Sequence, residues 1–102
     1  MNDKSRIGEL ISVAIDNYNQ TALPERQITN TPSTVLFGDG SVLDSLGFIN
    51  LVVAIETEIE NEFNLSLFLV DERALSMQEN PFKTLQSLTV LVQTRIEEMS
   101  GV

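Results

Sequence analysis

Apolar residues at Ile7, Leu10, Ile11, Ala14, Ile15 and Tyr18 recur at three- and four-residue steps, while Arg6, Glu9, Ser12 and Asp16 fall mostly on the other side. A helical period returns a side chain to one face at those steps, so the spacing predicts a helix from about Asp3 to Tyr18 with one buried stripe. Asn2 or Asp3 is the expected cap, and Asn17, Asn19 and Gln20 mark where the helix should fray. A second stripe, Phe48, Leu51, Val52, Ile55, Ile59 and Phe63, occupies one broad arc at about 100° per residue. It predicts a helix from near Ser45 to about Phe63, capped by Asp44 or Ser45. Leu85, Leu88, Leu91, Val92, Ile96 and Met99 form a third stripe behind Thr84, a suitable N-cap, and end before Gly101.

The intervening segments lack that period. From Thr21 to Gly40, Pro24, Pro32, Gly38 and Gly40 interrupt any regular pattern. A connection of this length in a small domain needs anchors. Leu23, Ile28, Val35, Leu36 and Phe37 are the candidates, with a short turn of helix around Val35 to Phe37. Leu65, Leu67 and Leu69 alternate like a strand but have no partner strand, so Asn64 to Val70 reads as a buried extended link laying Leu67, Leu69 or Val70 on the core. Asp71 to Leu75 suggests a short third helix with its acids at the favourable end, and Asn80-Pro81 a break. Residues 1–102 are therefore expected to form a single all-α domain, an antiparallel four-helix bundle of three long helices and one short, with a long loop between helices 1 and 2.

Composition narrows the chemistry. Five Phe, one Tyr and no Trp among 102 residues imply a core of Leu, Ile and Val. Without cysteine there is no disulfide, thiolate metal site or nucleophilic thiol, and without histidine the usual neutral-pH base is missing. Fifteen acids against six bases give a net charge of −9, which repels nucleic acid and anionic membranes and steers the chain toward basic partners. Between Arg26 and Arg73 there is no Lys or Arg, whereas Asp39, Asp44, Glu56, Glu58, Glu60, Glu62, Asp71 and Glu72 all lie there. The amphipathic start does not read as a signal peptide, and no stretch has the length and apolarity of a membrane span. The expectation is a cytoplasmic monomer without membrane insertion. A calcium loop over Asp39 to Asp44 is set aside, because its glycine is second and Val42 and Leu43 stand where ligands belong.

The distinctive stretch is Leu43-Asp44-Ser45-Leu46-Gly47. A serine where loop becomes helix has its hydroxyl at the positive end of the helix dipole, a natural seat for phosphate. Behind it, Leu46, Asn50, Val53, Thr57 and Glu60 share an arc away from the core stripe, with Glu56 at its margin. Scattered surface apolar residues are ordinary, but this arrangement also suits a docking face for basic partners. Three uses follow: Ser45 as an attachment point, an unmodified acidic helical adaptor, or a small hydrolase. The last lacks a histidine base and any lysine near Ser45, which disfavours it.

Asp44-Ser45-Leu46 opening a helix, followed by Ile49, Leu51-Val52-Val53-Ala54-Ile55-Glu56 and a carboxylate-rich end, resembles the acyl carrier proteins. The resemblance runs from about Ile7 to Glu98. It implies that a phosphopantetheinyl transferase places a 4′-phosphopantetheine arm from coenzyme A on Ser45, and that the arm's thiol holds an acyl group as a thioester. Such a chain has no turnover of its own and presents its cargo to acyl-loading and acyl-processing enzymes with basic docking patches. Ser45, Asp44, Leu46, Val53 and Glu56 match positions the family uses for attachment or docking. Fatty-acid carriers usually have acids just after the tripeptide and three residues later, where this chain has Gly47 and Asn50. The second helix is also about one turn longer than usual, which suits a specialised carrier of lipid, polyketide or related cargo and a longer or bulkier load. Peptidyl carriers usually have glycines before the serine, so Leu43-Asp44 argues mildly against aminoacyl or peptidyl cargo. In the family, the region of Met77 and Phe82 flanks the acyl-chain entry, although core packing is the expected role of both residues here.

Overall fold

A computed structural model describes residues 3–99, with side chains from Ser5 onward. It is all-α: α1 (Asp3–Thr21), α2 (Ser45–Phe63), α3 (Glu72–Leu75) and α4 (Leu85–Met99), with one turn of 3-10 helix at Pro24–Arg26 and no strand among the described residues. The expected cap Asn2 and the side chain of Asp3 lie outside the described residues.

The three stripes build the core. Ile7, Leu10, Ile11, Ala14, Ile15 and Tyr18 of α1 are buried, as are Phe48, Leu51, Val52, Ile55 and Ile59 of α2 and Leu85, Leu88, Leu91, Val92 and Ile96 of α4. The first helix packs along both α2 and α4. Each large aliphatic side chain removed from water in this way stabilises the fold by about 1.5–3 kcal/mol before chain entropy is subtracted. Asn64 ends α2 in the left-handed conformation (φ 56°), its N–H donating to the Glu60 carbonyl at 2.9 Å. Thr84 caps α4, accepting the Ser87 N–H at 3.2 Å.

The long first connection is held at both ends. Asn19 does not fray: its side-chain amide donates to the Ile28 carbonyl and accepts the Ile28 N–H, both at 2.9 Å, so it pairs with that residue as a strand neighbour would. Further along, Leu36 N–H donates to the Lys83 carbonyl at 2.7 Å and Leu85 N–H to the Thr34 carbonyl at 2.9 Å, around a bridge between Val35 and Thr84. This pairing replaces the turn of helix expected at Val35 to Phe37; the helical turn forms at Pro24 instead, where proline presets the backbone. Ile28 and Leu36 are the buried anchors, whereas Leu23 and Phe37 are exposed.

The link after α2 buries Leu67 and Leu69, while Val70 is exposed. Position 95 of α4 departs from the expected pattern. Arg95 lies inside the stripe, 7% exposed, and its guanidinium donates to both Asp71 carboxylate oxygens at 2.5 and 2.8 Å. Asp71 also accepts the Ala74 N–H at 2.9 Å, which caps α3. One carboxylate thus ties a four-residue helix, too short to persist alone, to α4.

The Arg95 guanidinium, with the Ala74 N–H, holds the Asp71 carboxyl well below the usual carboxylate range. A depressed folded value contributes stability that is complete above the unfolded pKa of about 4 and is lost as pH falls from there toward the folded value. Asp71→Asn should therefore lower the melting temperature at pH 7, and its gap from wild type should shrink below about pH 4; a gap independent of pH in thermal scans would contradict the ion-pair account.

Candidate functional site

Ser45 is the first residue of α2, and three groups fix that position. Asp44 is extended (φ −85°, ψ −179°), and its Oδ1 accepts the Gly47 N–H at 2.7 Å while its carbonyl accepts the Phe48 N–H at 2.9 Å. The cap satisfies donors that the helix cannot, and fixes the turn from which Ser45 projects. Before it, Gly38 and Gly40 both adopt φ of 90°, a conformation side chains rarely tolerate, and Leu43 N–H donates to Ser41 Oγ at 3.0 Å.

Tyr18 and Arg26 support the cap from α1 and the 3-10 turn. The buried Tyr18 hydroxyl donates to the Arg26 carbonyl at 3.0 Å. Burial first, and the Asp44 carboxylate second, push its phenol above the ordinary value, so it stays a protonated donor at neutral pH. Arg26 Nη1 donates to the Val42 carbonyl at 3.1 Å and stands 4.0 Å from Asp44 Oδ2. Gly47 closes the group: a Cβ there would come within 3.1 Å of both Asp44 Oδ1 and the Tyr18 hydroxyl. A side chain at position 47 would require the Asp44 or Tyr18 side chain to give way.

Ser45 is exposed, and its hydroxyl is hydrogen-bonded to no other group among the described residues. It is free to receive a substituent, and the exposed turn leaves room for one. Beside it, Asp44 Oδ1 accepts the Gly47 N–H and the Tyr18 hydroxyl donates to the Arg26 carbonyl, so both are engaged in the cap. No group of three or more side chains suited to a metal occurs among the described residues.

The outer face of α2 begins at Ser45. Leu46, Ile49 and Val53 are 67%, 53% and 51% exposed, an apolar row of one helical period. Ile49 was not among the expected docking residues, although its steps of three from Leu46 and four to Val53 place it on this face. Thr57 and Glu60 continue the row and are exposed. Glu56 differs: it is half-buried, and its Oε2 accepts the Leu69 N–H at 2.9 Å, so it fastens the extended link to α2 and presents less of its charge outward.

Ion pairing elsewhere sharpens the charge of this face. Arg6 binds Glu62 and Glu9, each at 2.7 Å, and Arg73 binds Glu98 at 2.9 Å. Glu60, on this face, and Glu58, half-buried on another side of α2, have no basic partner among the described residues. Phe37, half exposed, meets Phe48 edge-on at 5.6 Å, and Phe48 meets the buried Phe82 at 5.7 Å. Phe82 is thus a core residue. Met77 is half exposed and lines a cleft of about 560 Å³ with Pro81, Val90 and Arg95, to which no residue of α2 contributes. No helix among the described residues is long and apolar enough to cross a membrane. No protein family, curated protein or solved structure matches the chain.

Loss of the Asp44 cap by Asp44→Ala should cost about 0.5–2 kcal/mol in urea unfolding. Gly47→Asp should also destabilise, because the new Cβ meets Asp44 and Tyr18. By contrast Gly8→Ala, in α1 with nothing within 4 Å of the added carbon, should stabilise by about 0.5–1 kcal/mol; equal effects of the two glycine substitutions would contradict the crowding.

Proposed function

We propose that the chain is an acyl carrier, holding an acyl intermediate as a thioester on a 4′-phosphopantetheine arm attached to Ser45. The observation that carries this reading is an exposed serine with an unengaged hydroxyl at the first position of a capped helix, beside an apolar row that ends at the unpaired carboxylate of Glu60. The order of three long helices and one short, with a long first connection pinned to the core, supports an antiparallel bundle of the acyl-carrier kind. The chain itself supplies no catalytic group and acts as a cytoplasmic, monomeric single domain.

In loading, Ser45 Oγ forms the bond to phosphorus while a phosphoanhydride bond of coenzyme A breaks. The leaving group is 3′,5′-ADP, and the hydroxyl proton passes to a base on the phosphopantetheinyl transferase. The arm supplies a thiol on which cargo is held as a thioester. Asp44 fixes the helix turn, and Leu46, Ile49 and Val53 offer apolar contact to enzymes whose basic patches are drawn to Glu60 at the end of the same face.

Incubation with coenzyme A and a broadly acting transferase should add one phosphopantetheine to the intact mass of the wild type and none to Ser45→Ala. An unmodified wild type would favour an acidic adaptor that binds basic partners through the same face. Val53→Asp should raise the KM of loading on the order of tenfold, with kcat little changed, since an interface anchor removed from a small contact costs that much.

A further inference from the structure

We infer that Arg26 is the counter-ion that positions the phosphate of the group on Ser45; this rests on the carrier reading and adds to it a residue which that reading does not require. Modification places a new negative charge on the residue next to Asp44, and two like charges on adjacent residues repel. Arg26 Nη1 is already held 4.0 Å from Asp44 Oδ2. It is held there by its bond to the Val42 carbonyl, while its own carbonyl is fixed by the Tyr18 hydroxyl. Asp44 Oδ1 is spent on the Gly47 N–H, so the Arg26 side chain faces the cap's second oxygen and not the helix backbone. That side chain is 46% exposed, and no other Lys or Arg lies between it and Arg73 in the chain. A guanidinium offers several N–H donors in one plane, so it can keep its bond to the Val42 carbonyl and still donate to a phosphate oxygen. Arg26 is therefore a positioning residue, which restrains the root of the arm against the α2 N-terminus.

The test compares wild type, Arg26→Gln and Arg26→Lys, each with and without the arm loaded from coenzyme A, by thermal unfolding and by the phosphorus NMR shift of the phosphodiester. Loading should change the melting temperature of the wild type more favourably than that of Arg26→Gln, by roughly 1–5 °C at low salt. The difference should fall in 0.5 M salt, on the order of the screening expected for an exposed pair. Arg26→Lys should retain part of it, and the phosphorus shift should differ between folded wild type and folded Arg26→Gln but coincide in denaturant. If the arm attaches to all three and loading changes each melting temperature equally with coincident folded shifts, Arg26 serves Asp44 alone and the inference is overturned while the carrier reading stands. If the wild type accepts no arm, the carrier reading fails first and the inference with it.

Discussion

The end of α1 determines where α2 begins. Tyr18, the last buried residue of the α1 stripe, extends its hydroxyl out of the core to the Arg26 carbonyl and against Gly47. Through it the rigid packing of α1 fixes the 3-10 turn, the turn fixes Arg26, and Arg26 holds the Val42 carbonyl just ahead of the Asp44 cap. Ser45 thus stands on an exposed turn whose backbone is set by contacts reaching into the core. A site of this kind is both accessible and ordered, which suits a residue that another enzyme must find and modify.

The helices were legible because their apolar residues repeat at three- and four-residue steps, and α2 spans Ser45–Phe63 as its stripe predicts. Several departures come from polar side chains whose partners lie elsewhere in the sequence, and the turn expected at Val35 to Phe37 gives way to backbone pairing with Thr84. Asn19 looks like a fraying residue until Ile28 is folded back against it. Arg95 falls on a buried face that its charge argues against, and Asp71, 24 positions away, with the Phe68 carbonyl, makes that burial tolerable. Glu56 shows the same limit at the candidate site, since its partner is a backbone N–H of the following link. Ile49 is a different case: the helical period alone places it beside Leu46 and Val53, where it is 53% exposed.

Charge links the fold to its use. Arg6, Arg73 and Arg95 are spent on Glu62, Glu98 and Asp71. What remains on the outer face of α2 is an apolar row that begins beside Ser45 and ends at the unpaired Glu60. A basic partner would be drawn to that carboxylate at long range and would gain its contact area from Leu46, Ile49 and Val53, a division of labour between rate and affinity that suits brief, repeated encounters. Gly47 belongs to the Asp44 cap, since a Cβ there would stand 3.1 Å from both Asp44 Oδ1 and the Tyr18 hydroxyl.

The central claim is that Ser45 bears a phosphopantetheine arm in the cell. Peptide mapping by tandem mass spectrometry of the chain purified from the cells that naturally make it tests this most directly. The account predicts a peptide spanning Ser45 that releases the arm as a pantetheine fragment on collision, with the remaining phosphate or its elimination product localised to that serine. A chain recovered with Ser45 wholly unsubstituted, or with the arm on another residue, would contradict it.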